Sequence, residues 1–166
     1  MGISVTNSLS LRIYYGRYSQ LVKGSPRNDA TTGTLSFADS TALRNAIRKL
    51  QDYNFEEASD EQVQEKLNAF ADSVNNTLTS ATKYSSNSTS VRNAVKTIKN
   101  LNQEYSSQLK QIGITVNKDG TMSTYESAGA NYSKERFSKF FDKDSEYLTR
   151  LYDAAKKISR RVDVRI

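Results

Sequence analysis

The residues best suited to chemistry in this 166-residue chain are the stretch TVNKDGTMSTYE (115–126), ten tyrosines, and a run of cations near the end. On the twelve-residue EF-hand loop, Asn117, Asp119, Gly120, Ser123 and Glu126 would take positions 3, 5, 6, 9 and 12, a calcium-binding spacing. Position 1 would fall on Thr115, a neutral hydroxyl where such loops carry a carboxylate, and the apolar residues alternate around it as in strands. A hairpin that happens to contain acids is the better account, and no metal is expected. The pairs Glu56 with Glu57 and Asp142 with Asp144 could in principle exchange protons. Their places in polar connections and at helix starts are explained by the helix dipole alone. The chain has no His and no Cys, which removes thiol nucleophiles, Ser-His-Asp triads, Cys/His zinc sites and Cys-ligated iron–sulfur clusters. Its seven glycines are scattered and form no phosphate-binding loop. No catalytic residue and no cofactor is expected.

The formal charge is +6, from 24 basic and 18 acidic residues, and it is unevenly spread. Residues 1–35 carry a net +3, residues 36–83 a net −3, and residues 84–166 a net +6. The sharpest cluster is Lys156, Lys157, Arg160, Arg161 and Arg165. Cations near a helix C-terminus suit the dipole and a solvated face, and the same five could hold the phosphates of nucleic acid or the charges of an anionic surface polymer. Tyr14, Tyr15 and Tyr18, interleaved with Arg12 and Arg17 in LRIYYGRY, are the tyrosines left free for recognition. Tyr53, Tyr105 and Tyr152 fall on helix seams, where a ring buries its body and keeps its hydroxyl wet. With no stacking platform evident, nucleic acid is the disfavoured partner.

The elements that must position these residues are mostly helical. Residues 1–35 have no decisive period and end in KGSPRNDATTGT, a linker by composition, so a weakly structured N-terminal arm is expected. Ile3, Val5, Leu9, Leu11 and Ile13 alternate with polar residues and do not form the apolar core of a cleavable signal. No apolar run approaches the ~20 residues that span a bilayer. From Ser36 as N-cap, with Asp39 in the first turn, Leu43, Ala46, Ile47, Leu50 and Tyr53 predict a helix over 37–53. Ser59 and Gln62 form a capping-box pattern, and Val63, Leu67, Phe70, Val74, Leu78 and Ala81 predict a helix over 60–84 with a narrow seam. After the polar break SSNSTS, Val91, Val95, Ile98, Leu101, Tyr105, Leu109 and Ile112 predict a helix over 89–112, stopped by Gly113. Two narrow-seamed helices joined by a short turn predict an antiparallel hairpin.

Beyond Gly113 the period becomes two. Ile114 and Val116, the turn NKDG, then Met122 and Thr124 predict a β-hairpin over 114–124 that must lie on the helices. A last helix over 144–162 carries Leu148, Leu151, Tyr152, Ala155, Ile158 and Val162. The expected fold is mainly α: an antiparallel helical hairpin or bundle over 36–166, with a small β-hairpin and a C-terminal helix.

Four stretches, FADSVNNTLTSA (70–81), LNQEYSSQLKQIGI (101–114), NKDGTMSTYE (117–126) and FSKFFDKDSEYLTRLY (137–152), resemble the later part of the bacterial flagellar filament-capping protein family. There an F-x-x-x-x-N helix precedes a helix ending L-x-x-I-G-I, a D-G hairpin, a Phe-containing segment and a further helix. Leu109, Ile112, Gly113, Ile114, Asp119, Gly120 and Phe141 stand at matching places. The likeness spans roughly half the chain and is most specific over 101–126. It implies a structural, subunit-associating protein of the bacterial surface or flagellar-type export apparatus. Because 166 residues leave no room for the family's β-rich domains, it points to a smaller flagellar-like relative rather than the cap itself.

The expected function is therefore noncatalytic association, with itself or with other axial or surface proteins, through helical seam left over after the hairpin forms and through the arm. A basic module for nucleic acid or an anionic surface polymer is the alternative.

Overall fold

The structure, a computed structural model, describes residues 8–166. Ile3 and Val5 lie outside the described residues. The chain is mainly helical with one two-stranded ribbon. Its frame is four long helices: α3 (Thr32–Asp52), α4 (Asp60–Tyr84), α5 (Thr89–Glu104) and α9 (Glu146–Arg161). Each packs against two others, in the ring α3–α4–α5–α9 and back to α3. Side-chain bonds fix the sense of the last helix. Ser40 meets Ser159 and Gln51 reaches the Asp142 carbonyl, so α9 runs antiparallel to α3.

α4 occupies the span its sequence predicts, because both ends are set locally. The Ser59 hydroxyl accepts from the Gln62 N–H while the Gln62 side chain accepts from the Ser59 N–H. Its seam, Val63, Leu67, Phe70, Val74 and Leu78, is buried in one cluster with Val91, Ile98, Leu101 and Leu151. At about 1.5–3 kcal/mol for each large apolar side chain buried, this cluster is the main stabilising term. The expectation of leftover seam is corrected accordingly: α3 and α9 fill the faces that α4 and α5 leave open to each other.

The helix expected over 89–112 is broken. α5 ends at Glu104, Tyr105 takes a non-helical conformation, and α6 (Ser106–Lys110) resumes the direction for one turn. The heptad runs through this break, since Leu101, Leu109 and Ile112 are all buried. Gly113 then turns the chain with φ 87°. β1 (Ile114–Val116) and β2 (Met122–Thr124) pair antiparallel, Ile114 opposite Thr124 and Val116 opposite Met122. The ribbon lies on α4, whose Asn75 donates to the Met122 carbonyl at 2.8 Å and accepts from its N–H at 2.7 Å. The short helices α7 (Ala128–Asn131) and α8 (Lys134–Phe140) lead to α9. Phe137 and Phe141 stack on Phe55 while Phe70 meets Phe141 edge-on, which plugs that end of the bundle.

The N-terminal segment departs most from the sequence reading. Residues 8–30 are ordered as α1 (Leu9–Tyr15), a 3₁₀ turn (Gly16–Leu21) and α2 (Ser25–Asp29). Leu11, Tyr14, Tyr15, Leu21 and Val22 are buried against Ala38, Ala42 and Ala46 of α3 and Ala69 of α4. Four alanines on two crossing helices leave a shallow apolar trough, and large side chains from α1 fill it. α3 also begins earlier than expected, with Thr31 rather than Ser36 as its cap. Ser36 and Asp39 are both fully buried. The C-terminal residues fold onto this same start: Gly33 N–H donates to the Ile166 carbonyl at 2.7 Å and the Thr31 hydroxyl to that of Val164 at 2.8 Å. A boundary at residue 35 therefore does not exist in the fold.

Candidate functional site

The tyrosines expected to be free for recognition are largely structural. Tyr14 and Tyr15 are each 2% exposed. The Tyr15 hydroxyl donates to Asp39 Oδ1 at 2.6 Å and accepts from Asn76 at 2.9 Å. Burial, and then the Asp39 charge, push its pKa well above the ordinary value. Asp39 also receives both terminal nitrogens of Arg27, at 2.8 and 2.9 Å, and the Ser80 hydroxyl at 2.6 Å. A carboxylate with no solvent access is thus met by four donors from the N-terminal segment and α4, as a buried charge requires. Tyr18 alone is partly accessible, edge-on to Phe37 with the Arg17 guanidinium 5.5 Å from its ring centre.

A second latch fixes the start of α1. Glu65 accepts from the Ser8 and Ser10 hydroxyls, both at 2.6 Å, and from the Ser10 N–H at 2.8 Å. Partial burial alone raises this carboxyl, but the bonds from Ser10 and Ser8, with Lys66 beside it, outweigh that and hold it below its usual range.

Residues 109–120 run from the end of α6 through the Gly113 turn into the ribbon. Leu109, Ile112 and Ile114 are buried together, and Gly113 and Gly120 both adopt positive φ. Asn102 of α5, fully buried, donates to the Gly120 carbonyl at 2.9 Å and accepts from the Tyr147 hydroxyl at 2.7 Å, tying ribbon, α5 and α9. Asp119 accepts from the N–H and hydroxyl of Thr121, a turn-closing arrangement, and Asn117 donates to Thr121 and Ser123. The 115–126 loop is therefore a hairpin whose polar groups bond one another. Among the described residues no group of three or more acidic, His or Cys side chains is placed to hold a metal. Glu56 and Glu57 lie in a 3₁₀ turn, and Asp142 accepts from the Lys143 N–H.

The structure divides the C-terminal cations. Arg165 pairs with Asp163 at 3.1 Å. Lys156 is half-buried beside Tyr152, whereas Lys157, Arg160 and Arg161 are exposed. Two residues missed from the sequence meet Tyr152. Arg44 and Arg48 of α3 donate to the Tyr152 hydroxyl at 3.4 and 2.9 Å, and their guanidiniums lie 5.3 and 4.4 Å from its ring centre. Partial burial alone raises that phenol, but the two cations outweigh it and hold it below its ordinary value. A cleft of about 310 Å³ opens beside them, lined by Arg48, Lys143, Thr149, Tyr152, Asp153 and Lys156.

One further group escaped the sequence reading. Asp72 of α4 is largely buried, one carboxylate oxygen has no hydrogen-bond partner, and burial pushes its pKa up to about 7.

No known protein family, curated protein or solved structure matches this chain.

Proposed function

We propose that the protein is a noncatalytic structural module that works by subunit association, as the resemblance to flagellar filament-cap proteins implies, and that its partner is a second copy of the same chain. The observation that carries this reading is spatial. Residues of the likeness that are far apart in sequence meet in the fold: Leu109, Ile112, Ile114 and Phe141 are buried in one cluster, and Asn75 of α4 holds the ribbon of Asp119 and Gly120 through both backbone groups of Met122. Two phenols with raised proton affinity act as struts, Tyr15 on Asp39 and Tyr147 on Asn102.

With the seams spent inside the fold, association falls to the outer face of α1. Leu9 and Ile13, one turn apart, are 69% and 48% exposed, and Ile13 lines a cleft of about 210 Å³ with Tyr53 and Leu50. Apolar contact between copies should survive salt, since screening weakens the mutual repulsion of two +6 chains. Sedimentation equilibrium in 0.15 and 0.5 M NaCl tests this. The expected result is a mass that rises with concentration at both salts and stays monomeric in L9S/I13S; a monomer at all concentrations would overturn the reading.

A further inference from the structure

We infer that the cleft where α1 meets the end of α3 and the first turns of α4 binds a short-chain monocarboxylate, through the Tyr14 hydroxyl and the ammonium groups of Lys49 and Lys66. The cleft borders the proposed association face at Ile13, but binding needs a single chain and does not depend on association.

Tyr14, Lys49 and Lys66 all line this cleft of about 210 Å³. Tyr14 is 2% exposed and its hydroxyl has no hydrogen-bond partner. Folded proteins rarely leave a buried polar group unpaired, because its lost hydration is not recovered. The adjacent phenol shows the contrast: Tyr15, equally buried, has its hydroxyl bonded to both Asp39 and Asn76. Burial, and then the Glu65 charge, push the Tyr14 pKa up, so at neutral pH the group keeps a proton to donate. Glu65 does not take that proton, since its bonds come from Ser8 and Ser10. An acceptor seated in the cleft completes the phenol.

The charges select the acceptor. Lys66 donates to the Ser10 hydroxyl at 2.6 Å and lies 3.7 Å from Glu65, and its ammonium has a third proton beyond these two. Among the described residues Lys49 has no carboxylate within ion-pair distance. The dipole of α3 accounts for a cation in its last turn, but not for the orphaned phenol in the same cleft. Two ammonium groups against the one carboxylate of Glu65 leave a single positive charge unmatched. The head group is therefore a monoanion, because a doubly charged phosphate would be repelled by Glu65. Ile13, Leu50 and Tyr53 supply the apolar part of the lining. At about 210 Å³ the cleft is smaller than the about 300–1,000 Å³ pockets of drug-sized ligands, so the apolar body is a few carbons long.

The test titrates the full chain with hexanoate at constant ionic strength and follows backbone amides by NMR. Shifts should be confined to residues 10–14, 49–53 and the neighbourhood of Lys66. Tyr14→Phe removes the unpaired hydroxyl and no internal bond, so it should melt no lower than the native chain yet bind hexanoate at least about tenfold more weakly. Lys49→Gln should weaken binding about two- to fivefold, and Lys157→Gln, an equal charge change outside the cleft, should leave it unchanged. Absence of shifts in the cleft, native affinity in Tyr14→Phe, or a clear loss of its thermal stability would each overturn the assignment. Equal losses in Lys49→Gln and Lys157→Gln would show attraction to net charge alone and overturn it too. Binding of hexanamide as tight as hexanoate would remove the carboxylate from the proposal, and tighter binding of hexyl phosphate would overturn it in favour of phosphate monoesters.

Discussion

Asn75 of α4 holds Met122 of β2 by both backbone groups, donating to its carbonyl and accepting from its N–H. One amide side chain thereby substitutes for a neighbouring strand, and an otherwise marginal two-stranded ribbon is fixed to the bundle. Asn75→Ala strands both backbone groups at a partly buried edge. We expect a loss of about 1–3 kcal/mol in urea unfolding, with faster amide exchange confined to residues 114–124.

Gly113 sits at φ 87°, and a Cβ there would lie 2.6 Å from the Ala128 Cβ. Gly113→Ala should therefore combine left-handed strain with a side-chain overlap and cost at least about 2 kcal/mol. The check is the urea midpoint together with the exchange rates of the ribbon amides.

Arg27→Ala leaves the Asp39 carboxylate buried with its guanidinium partner gone. Removing one member of such a pair costs about 3–5 kcal/mol. Since Arg27 and Tyr15 both belong to the N-terminal segment, amides of residues 9–29 should exchange faster well before those of α5 do.

Asp72 sets a pH dependence of definite sign. Its folded pKa is raised to about 7 against an ordinary value of 3.8. The group's contribution is therefore fully favourable below about pH 4 and is lost as pH rises through 7. Asp72→Asn should be more stable than the native chain at pH 8, by an amount on the order of a few kcal/mol, and so melt higher there, and the difference should all but vanish at pH 4. Thermal melts of both chains across pH 4–8 give the comparison.

The parts of this fold that are set by near neighbours were visible in the sequence. The capping box at Ser59 and Gln62 marks the start of α4, and Gly113 with the NKDG turn marks the ribbon. The N-terminal segment was not, because its site is made elsewhere: Ala38, Ala42, Ala46 and Ala69 carry little apolar signal, yet together they form the trough that Leu11, Tyr14 and Tyr15 fill. Asp39 looked like a first-turn acid because Ser36 looked like a cap, and only the Thr31 start of α3 reveals it as interior. The break at Tyr105 was hidden by a heptad that continues past it. Lys156 stood out as a charge, but its place in one cleft with Arg48 follows from the packing of α3 on α9 and has no local signature. Asp72 was hidden for the same reason, since a carboxylate between seam residues reads as a solvated one.

Hydrogen–deuterium exchange at low and high protein concentration tests most directly whether the outer face of α1 is where copies meet. Amides of residues 9–15 should gain protection as concentration rises while those of 114–124 stay unchanged. Protection that is independent of concentration throughout the chain, or that appears only away from Leu9 and Ile13, would contradict the proposed association.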